Sequence, residues 1–354
     1  MQQNAISKPI VALAVISTML GFSTNAASQA ARPAPSQPAR PVYTEANVAA
    51  TPRKFPLKIP HTGPLTLQLQ ILLDLAGFSP GIIDGAWGIN ADKAMTFYAK
   101  PDDTERFSGD SPPPVTSLDA ATYQRLRSSK PLLKRYTITR ADLAGPFTEI
   151  PTNVYEQAKL KCLCYSSPAE ALAERFHTSP KFLAQLNPKV KIDDLKSGTS
   201  LLVPNVELDG SAVPQDTAIA ARLIISKKKF WTHVVDANGR IIYHFPSTLG
   251  AGYDPSPTGD FRITDVTNNS AFHYQPKLFA EVPDSNPDAR LPAGPNSPIG
   301  VVWISLSKPH YGIHGTSSPE TIGYANSHGC VRLTNWDATR LSLLVEPGTP
   351  VQFR

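Results

Sequence analysis

The sequence predicts a multidomain protein in which a small α-helical bundle and a βααβ unit precede a mostly-β C-terminal domain. The chain has 354 residues, of which 41% are hydrophobic, enough for two or three domains that each bury a core. Apolar residues recur at helical spacing over 65–98, whereas hydrophobic and polar residues alternate from about Ala221 onwards. This change of period places the helices first and the sheet last.

The N-terminus has the pattern of a secretory signal peptide over 1–26. An apolar run at 10–22 follows Lys8 and ends in small residues up to Ala26, and it is shorter than the roughly 20 residues that a membrane span needs. An uncleaved anchor is the alternative. No later segment is apolar enough to cross a bilayer, so we expect export to a periplasm, with secretion to the cell wall as the second choice.

Residues 27–60 are rich in Ala, Pro, Gln and Ser and have no helical or alternating period, which predicts an extended tether.

The formal net charge is +5, and the Lys and Arg residues are spread along the chain. Without a dense basic stripe we expect no nucleic-acid partner. A mild attraction to anionic wall polymers is expected instead.

Two helices around a glycine-rich loop are predicted within a first unit at 61–130. Apolar spacing runs from Leu65 to Leu75 and resumes as far as Tyr98. The pattern resembles a small three-helix peptidoglycan-binding domain, which implies glycan strands as the ligand; the alternative is a helical bundle in which the loop tryptophan is only a core residue. The matching loop positions are Gly81, Asp84, Gly85, Trp87 and Gly88.

A second small unit is predicted at 154–206. Pro168 and Pro180 each follow a serine and begin a helix, and Asn187 precedes a proline that ends the second helix. The order resembles the LysM module, a βααβ fold that binds N-acetylglucosamine in glycan strands; the alternative is a linker domain that has lost its ligand. The matching positions are Leu186, Asn187, Leu195, Gly198, Leu201 and Pro204.

The mostly-β domain is predicted from alternating segments. RLIIS, KFWTHVVD and RIIYHF come first, and Asp236–Gly239 supplies an Asn-Gly hairpin turn between the last two. FRITDV, VVWISL and PVQFR are further strand candidates. The stretch 266–298 lacks a period and is expected to be a long loop over the functional site.

The candidate catalytic residues are concentrated in 310–332, which holds three of the eight histidines and the only cysteine of this domain. A thiol such as Cys330 needs a neighbouring base or positive charge to react as thiolate near neutral pH. His314 and His328 both qualify by residue type, and their spacing does not rank them. Cys162 and Cys164, which lie earlier in the chain, either pair with each other after export or stay buried thiols.

A zinc site is the chemical alternative for this segment. His310 and His314 have the i, i+4 spacing of a zinc-binding helix. Tyr311 stands where such a helix needs its catalytic glutamate, and Gly312 disfavours a helix. We therefore expect no metal and no other cofactor.

The motif His314-Gly315-Thr316, followed by Ser-His-Gly-Cys-Val-Arg at 327–332, resembles the L,D-transpeptidase catalytic domain of the YkuD type. Pro257–Phe261 and Gly348–Val351 match further elements of that family, so the resemblance covers about 219–354. It implies a β-sandwich-like catalytic domain.

The resemblance also implies a role for each motif residue. Cys330 is the nucleophile, His314 the proton donor and acceptor, His328 a supporting residue and Gly329 an oxyanion amide. Some members have Ser where this chain has Gly315, so a backbone carbonyl has to orient His314. The expected substrate contacts are Arg332, Gly315, Thr316 and Ser327.

The implied reaction is acyl transfer in peptidoglycan. Cys330 takes up a tetrapeptide stem at its third residue and D-alanine leaves. An amine of a neighbouring stem then accepts the acyl group in a 3→3 cross-link, or the lysine of an exported lipoprotein does so. Water as acceptor would make the protein an L,D-carboxypeptidase, and a wall-binding protein without catalysis is the remaining alternative.

Overall fold

The residues described in the computed structural model are 41–102, 115, 117–206, 220–250, 252, 255–279, 282–324 and 326–354. The predicted signal peptide and the tether as far as residue 40 lie outside these residues. The part of the chain from Pro41 to Arg354 forms one compact unit, within which the predicted modules pack against one another.

The helices are α1 (Glu45–Val48), α2 (Pro64–Leu75), α3 (Ile89–Ala99), α4 (Ala120–Leu126), α5 (Val154–Gln157), α6 (Pro168–Arg175), α7 (Pro180–Leu186) and α8 (Asn335–Ser342). The strands are β1 (Leu57–Lys58), β2 (Ser117–Leu118), β3 (Leu133–Thr137), β4 (Ser200–Pro204), β5 (Arg222–Ser226), β6 (Trp231–Val235), β7 (Ile241–Pro246), β8 (Leu249–Gly250), β9 (Gly259–Asn268), β10 (Phe272–Tyr274), β11 (Ala289–Leu291), β12 (Val302–Leu306), β13 (Gly312–His314), β14 (Asn326–Ser327), β15 (Val331–Arg332) and β16 (Pro350–Phe353).

The helical part of the chain begins earlier than predicted. Helices α2 and α3 lie on either side of the glycine-rich loop, but the segment before α2 is packed against them. Tyr43 and Val48 are buried in the same core as these helices, and the Nε2 of Gln68 donates a hydrogen bond to the carbonyl of Val48 at 2.7 Å. The tether prediction is therefore wrong over 41–60, because these apolar side chains complete a core that the helices alone leave open.

The βααβ unit has the predicted order but a different start. Strand β4 pairs antiparallel with β3, which lies at 133–137, so the boundary at 154 is wrong. An insertion with the disulfide Cys162–Cys164 separates β3 from α6 and hides the pairing in the sequence. Asn187 ties the second helix to β4, because its side chain donates to the carbonyl of Leu202 at 2.9 Å and accepts from the amide of Leu202 at 2.7 Å.

A mixed sheet of eight strands forms the C-terminal domain, in the order β15-β13-β12-β9-β16-β5-β6-β7. All six segments predicted as strands belong to it. The Asn-Gly turn between β6 and β7 is confirmed, since Gly239 has a φ of +82° and its amide donates to the carbonyl of Asp236 at 3.0 Å.

The sheet curls until its two ends meet. Thr248, just beyond β7, exchanges two backbone hydrogen bonds of 2.9 Å with Arg332 of β15, the strand at the opposite end. The predicted sandwich is therefore one curled sheet, whose halves and helix α8 enclose a single core. Its members include Leu223, Ile225, Val234, Phe245, Ile263, Ile304, Ile313, Val331, Ala338 and Leu341.

Two features of the C-terminal domain were not predicted. The stretch 266–298 is not irregular throughout, because β9 extends to Asn268 and β10 pairs antiparallel with β11. The outer edge of β7 is covered by residues 77–79, where the amide of His244 donates to the carbonyl of Gly77 at 3.0 Å and Ser79 donates back at 2.9 Å. The helical unit thus satisfies a sheet edge that would otherwise be open to pairing.

A buried ionic network joins the three parts of the chain. Arg340 of α8 donates to the carboxylate of Asp74 of α2 at 3.0 Å, and His177, just after α6, donates to the same carboxylate at 2.9 Å. Burial alone would raise the pKa of Asp74, but the facing charges of His177 and Arg340 lower it to about 2. The carboxylate is therefore ionised wherever the protein is folded near neutral pH.

We expect Asp74→Ala to lower the free energy of unfolding by about 3–5 kcal/mol, because Arg340 would stay buried without its carboxylate. Denaturant titration measures the loss. Because the folded pKa lies below the unfolded value, the contribution is present above about pH 4 and disappears as the pH falls towards 2.

The matched control is Glu45→Ala, which removes an exposed ion pair with Arg135. It should cost less than about 1 kcal/mol. Equal losses for the two variants would contradict a structural role for the buried network.

Candidate active site

Four of the predicted site residues line one cavity of about 360 Å³: His314, His328, Cys330 and Arg332. The sheet brings them together, because β13 and β15 are adjacent and parallel. His314 ends β13 and is paired with Arg332 in the register of the two strands. Cys330 directly precedes β15, so the thiol and the imidazole reach the cavity from neighbouring strands.

The imidazole of His314 is held in one tautomer. Its Nδ1 lies 2.6 Å from the carbonyl oxygen of Gly315, and since a carbonyl only accepts, Nδ1 carries the proton. Nε2 is left with a lone pair. The ring of Trp303, opposite His314 on β12, stacks on it with centroids 5.4 Å apart. The prediction that a backbone carbonyl orients His314 is confirmed.

His314 is neutral near physiological pH. Burial is the main reason, and the positive charge of Arg332 acts in the same direction, while the hydrogen bond to Gly315 opposes them; together they lower the pKa of His314 to about 3. The resting imidazole can therefore accept a proton at Nε2 but does not carry one.

The turn before β15 is fixed by three hydrogen bonds. The hydroxyl of Ser327 donates to the carbonyl of Cys330 at 2.6 Å, and the hydroxyl of Ser256 donates to the carbonyl of Gly329 at 2.7 Å. Gly329 has a φ of +89°, a conformation that favours glycine. The thiol of Cys330 lies 3.7 Å from the carbonyl of His310, which accepts from it.

Close packing explains why residue 315 is glycine. A Cβ at this position would lie 2.2 Å from Oδ1 of Asn335, and a Cβ at Gly300 would lie 2.0 Å from the same atom. A serine at 315 would collide with this amide. The position of the carbonyl that holds His314 is therefore set by the backbone at Gly300 and the side chain of Asn335, which both pack against Gly315.

The remaining walls come from both sides of the sheet. The β10–β11 hairpin contributes an apolar wall. There the ring of Phe279 contacts the ring of His328 edge to face, with the ring centroids 4.9 Å apart. A second, more polar cavity of about 670 Å³ lies next to the first, and Gln157, Pro298 and Arg332 line both. Gln157 belongs to α5, so a segment outside the β domain helps to build the site.

The other predicted contacts occupy different positions. Thr316 lines the second cavity, where its hydroxyl accepts from the amide of Ser318 at 3.2 Å. Ser327 is buried and its hydroxyl is used within the turn. The sequence reasoning missed Trp303, Ser256 and the carbonyl of His310. Only Ser256 had a signal, as the neighbour of the Pro257–Phe261 element.

Cys162 and Cys164 form a disulfide with each other, and Cys330 is a thiol.

Over the residues that the structure covers, no group of three or more His, Cys, Asp and Glu side chains is arranged to hold a metal ion. In the same part of the chain, every helix is too short or too polar to span a bilayer.

Comparison with known proteins identifies the family that has this fold and motif. The family model of the YkuD-type L,D-transpeptidase catalytic domain matches residues 220–353. The Bacillus subtilis protein named as L,D-transpeptidase YkuD is 32% identical over 181 residues, which are 51% of this chain and 90% of that protein. The chain therefore belongs to the L,D-transpeptidase family and is an enzyme of that class.

Two further similarities are more distant. The Escherichia coli protein named as L,D-transpeptidase YbiS is 27% identical over 191 residues, which cover 53% of this chain and 60% of that protein. A solved L,D-transpeptidase from Mycobacterium smegmatis is 20% identical, with a TM-score of 0.31, and the match covers 37% of this chain and 57% of that chain.

Gly315→Ala is expected to reduce turnover by at least about a hundredfold, because displacement of the carbonyl by about 1 Å moves the imidazole of His314 out of place. Steady-state release of the leaving amino acid measures the loss. Gly252→Ala, at an exposed glycine with open space around its Cα, should keep full activity. Wild-type turnover in Gly315→Ala would contradict the packing argument.

Arg332→Gln should raise the pKa of His314, because it removes the neighbouring positive charge, while burial keeps the pKa below 6.5. A pH titration of the His314 ring resonances by NMR measures the shift. An unchanged or lower pKa in the variant would show that Arg332 does not act on the imidazole.

Proposed function

We propose that the protein is an exported, cysteine-dependent L,D-transpeptidase that transfers a peptidoglycan stem from Cys330 to an amine. The observation that carries the proposal is the pairing, on one cavity, of a thiol with an imidazole whose Nε2 has a lone pair. This is the arrangement that activates a thiol nucleophile through an adjacent base.

The first half-reaction acylates the enzyme. The thiol of Cys330 gives its proton to Nε2 of His314, and the sulfur attacks the carbonyl carbon at the third residue of a tetrapeptide stem. The C–N bond to D-alanine breaks as the leaving nitrogen takes the proton from Nε2. A thioester remains on Cys330, and amides at 328–330 are the proposed donors to the developing oxyanion.

The second half-reaction releases the acyl group. An amine of a neighbouring stem attacks the thioester, its proton passes to Nε2 of His314, and the C–S bond breaks to regenerate the thiol once the proton returns to sulfur. The low pKa of His314 makes the protonated imidazole a strong acid towards the leaving nitrogen and makes the neutral imidazole a weak base towards the thiol. The polar cavity beside Arg332 offers space for the acceptor.

The units before the β domain are proposed to bind the glycan strands. For the βααβ unit, support comes from its strand order and from the extent of the similarity to YkuD. Since the family domain occupies only 220–353, roughly a quarter or more of the 181 aligned residues lie outside it. For the helical unit, support comes from the loop with Trp87 between α2 and α3.

Export to the periplasm is proposed from the apolar run at 10–22. The disulfide Cys162–Cys164 supports it, because disulfides persist in oxidising compartments. Peptidoglycan is also accessible there. A lysine of an exported lipoprotein is the second proposed acceptor.

The test incubates the purified protein with disaccharide tetrapeptides and analyses the products by mass spectrometry, with Cys330→Ala as the control. Dimers that have lost one D-alanine are the expected product, and they should be absent with the variant. Tripeptides alone would make the protein a carboxypeptidase. Dimers formed equally by Cys330→Ala would overturn the thiol mechanism.

A further inference from the structure

The side chain of Asn335 reaches the backbone segments that position the base. It is buried, and its Nδ2 donates to the carbonyl of Pro295 at 3.1 Å. Its Oδ1 accepts from the amide of Val301 at 3.3 Å and lies against Gly315, since a Cβ added to Gly315 would lie 2.2 Å from it. The Cα of Gly315, which adjoins the carbonyl that fixes His314, therefore packs against this amide.

Glu174 fixes the direction of the Asn335 amide together with the carbonyl of Pro295 and the amide of Val301. Both carboxylate oxygens of Glu174 accept from Nδ2 of Asn335, at 3.1 and 3.0 Å. The hydroxyl of Tyr165 donates to the same carboxylate at 2.7 Å and holds it in place. If the amide turned over, its NH₂ group would face the N–H of Val301, and its oxygen would face both the carboxylate of Glu174 and the carbonyl of Pro295, which are three repulsive pairs.

Glu174 lies outside the family domain. It belongs to α6 of the βααβ unit, whereas Asn335, Val301 and Gly315 all lie within 220–353. The adjoining segment docks on the same region, because the amide of Leu163 donates to the carbonyl of Ala293 and the amide of Asn296 donates to the carbonyl of Leu163, both at 2.9 Å. The accessory unit thus contacts the layer directly behind the base.

We infer that Glu174 is a positioning residue for the acyl-transfer reaction, which acts through Asn335 and the Gly315 carbonyl on the tautomer of His314. The inference rests on the proposed function, in which His314 is the base. It makes catalysis in the β domain depend on a carboxylate supplied by the βααβ unit. Loss of that carboxylate releases the carbonyl and lets the proton move from Nδ1 to Nε2, where it blocks proton acceptance.

The experiment compares Glu174→Ala and Asn335→Asp with the conservative Glu174→Gln and with Glu346→Ala, at an exposed glutamate of the β domain. Release of D-alanine from disaccharide tetrapeptides gives kcat and KM. NMR of protein with ¹⁵N-labelled histidine reports the His314 tautomer, with the resonances assigned by their loss in His314→Gln.

We expect Glu174→Ala and Asn335→Asp to lower kcat by at least about tenfold, with KM within about twofold, because the base is misplaced and binding is not. The Nδ1–H population of His314 should fall in both. Glu174→Gln keeps an acceptor for Asn335 and should retain kcat within about threefold, and Glu346→Ala should match the wild type.

Wild-type kcat and an unchanged His314 tautomer in folded Glu174→Ala would overturn the inference. If that variant does not fold, Asn335→Asp decides in its place, since it keeps the side-chain volume but cannot donate to Glu174. The tautomer does not depend on the choice of substrate. A wild-type protein that releases no D-alanine, but whose His314 tautomer changes in Asn335→Asp, would therefore support the positioning role and overturn the proposed function.

Discussion

The hydrogen bond from Nδ1 of His314 to the carbonyl of Gly315 is the contact on which the geometry of the active site depends. It fixes the tautomer and directs the lone pair of Nε2 away from the backbone. The carbonyl can be in that place only because residue 315 has no side chain and Asn335 packs directly against it. Burial in this layer also keeps the imidazole neutral. One short backbone contact therefore sets the position and the tautomer of the imidazole, while burial sets its charge.

The curl of the sheet and the pairing of β15 with β13 bring Cys330 to the cavity that His314 lines. Strand β15 pairs with β13 on one side and with Thr248 on the other, so the residue after Cys330 begins a strand that is bonded along both edges. The turn that precedes it is fixed by Ser256 and Ser327. Because both ends of the sheet converge here, a change that opens the curl would leave β15 bonded along one edge only, by β13.

The accessory units are part of the catalytic structure as well as candidates for wall binding. Residues 77–79 cover the edge of β7, and Asp74 forms a buried ion pair with Arg340 of α8. Val154 and Gln157 line the cavity that contains Cys330. The accessory units and the β domain therefore form one compact unit around this cavity.

The sequence alone determined the elements whose signals are local. Alternation gave the strands of the β domain, Asn238-Gly239 gave the hairpin turn, and the motif at 314–332 gave the four residues that meet in the cavity. Only the tertiary structure decided that Tyr43 and Val48 are buried, that β3 is the partner of β4, and that the sheet curls. It also supplied Trp303 and Asn335 to the site. The physical reason is that these features depend on contacts between residues far apart in the chain, which no local period or spacing encodes.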